Sequence, residues 1–216
     1  MSTYINKSNP YTSFTEICDL KVDVAFVLDA SGSILPKQYK LQKEFVAKVA
    51  SSNSLSKDGV RIGVVLYSHS SSVPIKLNDY FNETEFAAAA MKLRHESSIT
   101  RIDRGLKTAY DKLLTKSYGA RDGVPKVLFL LTDGKQTRKF NFIEPRVVAL
   151  PLRQSGVTIK AIGIGRYADR AELEAITGNK EHVYMIKYFN QLATGKFLDN
   201  FNFKCDPGEL LGCLFL

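Results

Sequence analysis

The sequence predicts an α/β domain: a doubly wound, mostly parallel six-stranded sheet with one antiparallel edge strand and helices on both faces. Three observations carry that reading. Four short runs, VDVAFVL (22–28), VRIGVVLYS (60–68), KVLFLLTDG (126–134) and VTIKAIGIG (157–165), are apolar almost throughout, as strands covered on both faces are. The segments between them repeat apolar residues at helical spacing. Strands alternating with helices of this length form parallel sheets with a helical layer on each side.

The elements follow in order. Residues 1–17 read as a polar, flexible leader; they lack an apolar core of the secretory kind, so no signal peptide is visible. The chain is then intracellular, or a mature or partial form. After the first strand, Pro36 opens a helix, a position it favours, with Leu41, Phe45, Val46 and Val49 on one face. Asp58-Gly59 marks a turn into the second strand. SVPIKL (72–77) contains Pro74, which confines it to a sheet edge. ETEFAAAAMKLR (83–94) is a strong helix former. Residues 101–116 continue as a helix with Ile102, Leu106, Ala109 and Leu113 aligned. After the third strand, 143–154 is helical and bent near Pro151. The strand at 157–165 leads to a short helix at 169–176 and a last strand, HVYMIK (182–187). A final helix runs from about Asn190 to Asn202. The tail GELLGCLFL is apolar but too short to span a membrane, and it is given no role.

Composition excludes several classes. No apolar run approaches the ~20 residues of a membrane span. The net charge of +8 would favour acidic partners, sulfated glycans among them. However, Lys and Arg are scattered rather than run together, the pattern of a solvated surface. KQTRK (135–139) and Arg101–Arg104 read either as a positive rim or as solvated loop charge. No nucleic-acid module is recognisable. Cys18, Cys205 and Cys213 form no CxxC pair, which argues against a zinc site. Asn6 and Asn82 begin N-glycosylation sequons, tripeptides that also arise by chance.

The chemistry gathers at the strand ends. In an open α/β sheet, ligands bind beyond the carboxyl ends of the strands, where strand order reverses. Asp29 ends the first strand and Asp133 the third; Ser31, Ser33 and Thr100, the last from the loop ESSITR (96–101), arrive on the same face. This is a set of oxygen donors without His or Cys, the kind that hard divalent cations such as Mg²⁺ or Mn²⁺ select. Short side chains on tight loops leave a coordination position for a partner's carboxylate. Each piece alone has a local alternative. Asp-Ala-Ser-Gly-Ser can cap the following helix, and Thr-Asp-Gly is a common turn. Their convergence on one face carries the metal reading. Hydrolysis is disfavoured: ASGSI is not the GxSxG elbow, and only His69, His95 and His182 are available as bases. GIGIGRYA is not a dinucleotide fingerprint, because Ala168 stands where the third glycine belongs.

Taken together, VDVAFVLDASGSI, DGVRIGVVLYS, TRIDRGLKTA, PKVLFLLTDGKQT and VTIKAIGIGRYADRAELEAI resemble the von Willebrand factor type A domain, most of all its extracellular matrix branch of matrilins and collagen modules. The likeness covers about residues 19–205, and the domain is placed at 18–205. It implies a Rossmann-like fold and a metal ion-dependent adhesion site of D-x-S-x-S form, matched by Asp29, Ser31 and Ser33, with Thr100 and Asp133 completing the ligands. Ser97, Ser98 and Ile99 stand where the family often has glycines. The resemblance further implies a Cys18–Cys205 disulfide, with Cys213 unpaired or linked to another chain. It implies a secreted, non-enzymatic module that binds a matrix or cell-surface protein such as a collagen through an acidic residue. A metal-independent matrix-assembly module and an intracellular scaffold remain as alternatives, the latter with free thiols.

Overall fold

The computed structural model describes residues 20–139 and 141–203. Cys18, Cys205, Cys213, Asn6, the leader and the tail lie outside them. Six strands form one sheet: β1 (Val22–Asp29), β2 (Val60–Tyr67), β3 (Ser71–Ile75), β4 (Lys126–Thr132), β5 (Val157–Ile164) and β6 (Val183–Ile186), in the order β3-β2-β1-β4-β5-β6. All neighbours are parallel except β2 and β3, which are antiparallel with an irregular register between Val64 and Leu66. Pro74 stands exposed on that edge, where a missing N–H costs the ladder nothing.

The apolar runs are continuous because both faces of the central strands are covered. Val24, Phe26 and Leu28 point into one core and Ala25 and Val27 into the other. The first core is capped by α1 (Pro36–Ser51), α2 (Glu83–Met91) and the segment 189–201; it is built around Phe26, Phe45, Phe129 and Phe201, whose ring centres lie 5.0–6.0 Å apart in four contacts. The second core lies under α3 (Ile102–Thr108), α4 (Pro145–Gln154) and α5 (Arg170–Thr177). Helix α3 sits very close to the sheet. A Cβ added at Gly105 would fall 2.8 Å from the Tyr67 ring and 2.9 Å from Val27, so only glycine permits this approach.

Two helices differ from expectation. The helix expected over 101–116 is α3 followed by a π-helical turn, Ala109–Leu113. The helix expected from Asn190 to Asn202 is broken into a 3₁₀ turn (Phe189–Ala193), a short α6 (Gly195–Leu198) and a second 3₁₀ turn (Asp199–Phe201). Thr194 takes extended backbone and its hydroxyl donates to the Gln191 carbonyl. The break lets Phe197 and Phe201 both reach Phe45. Asn82 is the exposed N-cap of α2, its Oδ1 accepting from the N–H groups of Thr84 and Glu85.

Candidate metal centre

The chain runs from β1 outward through β2 to β3, then crosses to β4 and continues outward through β5 to β6, so strand order reverses between β1 and β4. Asp29 and Asp133 emerge at that reversal. Asp29 is fully buried. One of its oxygens accepts from the Ser31 N–H at 2.9 Å, the other from the Thr132 hydroxyl at 2.8 Å. The Ser31 and Ser33 hydroxyls are 3.0 Å apart, and Ser33 donates to Asp133 at 2.7 Å. An unbroken line of oxygen contacts therefore runs from the Asp29 loop to Asp133.

Thr100 arrives on a segment fastened to both loops. Ser97 N–H donates to the Ala30 carbonyl at 2.9 Å, and Gly32 N–H to the Ser98 carbonyl at 2.7 Å. Thr137 N–H donates to the Thr100 carbonyl at 2.8 Å, while Thr100 N–H reaches the Thr137 hydroxyl at 3.3 Å. The backbone of Thr100 is thus tied to the loop that follows Asp133. Gly32 suits this close approach: a Cβ there would sit 3.2 Å from the Ser97 carbonyl oxygen, a tight contact that the neighbouring segment would have to yield to. Ser97 itself holds a left-handed φ of 52°, a conformation that glycine adopts without cost and serine does not.

Burial pushes the Asp29 carboxyl up to about 6; the Asp133 charge adds to this, and the bonds from Ser31 and Thr132 oppose it. Asp133 is also raised by burial. Two carboxylates that resist ionisation together are what a divalent cation would relieve. Among the described residues no group of three or more His, Cys, Asp or Glu side chains could hold a metal. This site offers two carboxylates and relies on hydroxyls for its other donors.

Several supporting residues carry no motif of their own. Thr132 fixes Asp29 from the neighbouring strand, and Gln42 donates from α1 to the Asp29 carbonyl at 3.2 Å. Arg101 is buried rather than part of a positive rim, making a two-point contact with buried Asp103 at 2.9 and 2.7 Å. Asp103 also accepts from Gln136 at 2.9 Å and from the Ile143 N–H at 3.1 Å, which anchors both ends of the loop after Asp133. Burial would raise its pKa, but the bonds from Arg101, Ile143 and Gln136 outweigh that and hold it low. In KQTRK, Lys135 pairs with Asp169 at 2.7 Å and Arg138 with Glu144 at 3.5 Å, so much of that charge is locally balanced. His95 meets the backbone oxygen of Ser31 at 3.1 Å, not its hydroxyl, and stacks on Tyr39.

Comparison with known proteins agrees with this geometry. The von Willebrand factor type A domain family matches residues 23–198. The chain is 32% identical to the mouse collagen alpha-6(VI) chain over 82% of its own length and 8% of that protein's. It is 30% identical to Cuticlin-6 of Caenorhabditis elegans over 79% of its length and 28% of that protein's. The chain thus spans only a small part of these relatives. Proximal thread matrix protein 1 from the mussel byssus, solved with a zinc-occupied metal ion-dependent adhesion motif, superimposes with a TM-score of 0.78 at 26% identity, over 86% of this chain and 48% of that one. The chain belongs to the von Willebrand factor type A domain family, in its extracellular matrix branch, and carries that family's metal ion-dependent adhesion motif.

Proposed function

We propose that this chain is a divalent-metal-dependent adhesion module, holding Mg²⁺ or Mn²⁺ with Asp29, Ser31, Ser33, Thr100 and Asp133. The observation that carries this reading is the line of contacts from Asp29 through Ser31 and Ser33 to Asp133 at the sheet's reversal point. The donors are hard oxygens, and burial leaves both carboxylates in want of a positive charge. A bound ion supplies an electrophilic centre for a partner's carboxylate. The chain's own residues orient it: Thr132 and the Ser31 N–H fix the Asp29 carboxylate, and the Asp103 network steadies the loop behind Asp133. The partner is an extracellular matrix or cell-surface protein such as a collagen, which the matrix proteins among the relatives support.

Calorimetric titration with Mg²⁺ and Mn²⁺ tests the site. Saturable binding by the wild type that disappears in Asp29→Ala is the expected result. Binding retained by the variant would place the ion elsewhere, and partner binding unaffected by EDTA would favour a metal-independent assembly module.

Two further assignments belong to the same reading. A Cys18–Cys205 bridge is supported by Leu20 and Phe203, which both pack against the first core although they stand at opposite ends of the described chain. A glycan on Asn82 would use Nδ2, leaving Oδ1 to cap α2. Sulfated glycan is the lesser partner, given the ion pairing of Lys135 and Arg138.

A further inference from the structure

Helix α5 opens with Asp169-Arg170-Ala171-Glu172, a sequence in which the acid three residues after the cap ordinarily turns back to the cap's own N–H. Asp169 does its half: its Oδ1 accepts from the N–H groups of Ala171 and Glu172. The Glu172 side chain is directed elsewhere. Its Oε2 accepts at 3.0 Å from the N–H of Gln136, 36 residues earlier in the chain. Asp169, besides capping, pairs through its other oxygen with Lys135. The first turn of α5 thus grips two consecutive residues of the loop that follows Asp133.

Gln136 is buried and is held from a second side as well. Its Nε2 donates to the Asp103 carboxylate at 2.9 Å, and its Oε1 accepts from the Asp103 N–H at 3.1 Å. The next residue, Thr137, carries both hydrogen bonds to the backbone of Thr100. Gln136-Thr137 is therefore the short piece of chain at which α3, α5 and the Thr100 segment meet, close behind the strand end that bears Asp133. A backbone N–H bonded to a carboxylate is among the stronger hydrogen bonds. Glu172 makes it half-buried, where burial raises its carboxyl against the bond from Gln136. An acid held at that cost does nothing for the cap of its own helix; what it fixes is the loop.

We propose that Glu172 is a positioning residue of the metal centre: it supplies no donor to the ion, and by fixing the Gln136 N–H it sets the placement of Asp133 relative to Thr100 that the ion requires. The proposal rests on the metal-dependent reading above. A loop free to leave this placement binds metal only in the fraction of molecules that hold it, and the apparent affinity falls by that fraction. The coupling runs both ways: an ion that fixes the loop also tightens the hold of α5 on it.

The test measures Mn²⁺ affinity by calorimetry for the wild type and for Glu172→Ala, Glu172→Asp and Glu172→Gln. Hydrogen exchange at the Gln136 amide is followed in each, with and without Mn²⁺. The aspartate variant keeps the charge but withdraws it from the loop; the glutamine variant keeps the reach and an acceptor oxygen without the charge. Alanine and aspartate should each weaken Mn²⁺ binding about fivefold, as the partial loss of one hydrogen bond to a charged group implies. Both should also quicken Gln136 exchange. Glutamine should retain most of the affinity, and Mn²⁺ should slow Gln136 exchange in the wild type. A merely structural role would lower the melting temperature of the alanine variant and leave its Mn²⁺ affinity unchanged. That result would overturn the proposal while leaving the metal site standing. Equal losses in the aspartate and glutamine variants, or a greater loss with glutamine, would assign the effect to charge and overturn it too. The aspartate–glutamine comparison decides even where the alanine variant is too unstable to titrate. Failure of the wild type to bind Mn²⁺ would overturn both readings.

Discussion

Asp29 is held in tension between two demands. The bonds from Ser31 and Thr132 favour its charged form, while complete burial beside Asp133 favours the neutral one and prevails. Its pKa of about 6 in the metal-free fold lies above the ordinary value of 3.8, so the fold binds this proton more tightly than the unfolded chain does. That contribution is fully present below about pH 4 and is lost as pH rises through 6, an effect of at most about 3 kcal/mol. Asp29→Asn keeps the shape and accepts the same Ser31 bond without the charge. In EDTA it should therefore be more stable than the wild type by a wider margin at pH 7.5 than at pH 5, as read from urea midpoints. Equal margins at the two pH values would show that Asp29 is not strained by its site. The same variant should show no Mg²⁺-dependent rise in melting temperature, whereas the wild type should gain stability with the logarithm of Mg²⁺ concentration above its Kd. The residues proposed as the principal donors stand out in the sequence because they share short loops after recognisable strands. Thr132 does not: its value depends on β4 lying in register beside β1, which no local pattern states.

Helix α3 does two things at once. Its close seat against Tyr67 and Val27, permitted by Gly105, fixes the height at which Thr100 leaves the helix start. Asp103, in its first turn, then fastens the loop after Asp133 through Gln136 and Ile143. Removing Asp103 would take the carboxylate counter-charge away from the buried Arg101 guanidinium. Asp103→Ala should therefore cost about 3–5 kcal/mol in equilibrium unfolding. Hydrogen exchange should also quicken at the amides of Thr137 and Ile143; unchanged protection there would deny Asp103 its anchoring role. The strands were easy to read because burial on both faces makes them apolar runs. The last helix was misread because its interruption at Thr194 is set by where Phe197 and Phe201 find room against Phe45, a tertiary matter. The basic loops were ambiguous for a similar reason. Asp169, which balances Lys135, comes from the start of α5, more than thirty residues away in sequence.

Across the molecule, the two cores lie on opposite sides of one sheet. Val24, Phe26 and Leu28 serve one and Ala25 and Val27 the other, so strand β1 belongs to both. Phe26→Ala should cost about 3–5 kcal/mol, and because the sheet is shared, the loss should appear as one cooperative transition by both near- and far-ultraviolet circular dichroism. Two separated transitions would show that the helical layers melt independently. A bridge between Cys18 and Cys205 would tie the ends of the chain across this unit and should add a few kcal/mol. Peptide mapping without reductant is expected to recover the two cysteines in one linked fragment, and recovery of both as free thiols would remove that assignment.

The place of Asp29 and Asp133 at the ends of two adjacent central strands also decides how the domain would meet a mechanical load. A matrix partner that pulls on an ion held there pulls along β1 and β4, which run side by side and in the same direction. The hydrogen bonds between them lie across the line of force. Loaded from the same end, β1 and β4 move as one, and slip has to occur against β2 and β5 on either side, whose parallel hydrogen bonds also lie across the force and break together instead of one by one from an edge. Tension arriving through the proposed site would thereby be delivered to the centre of the sheet.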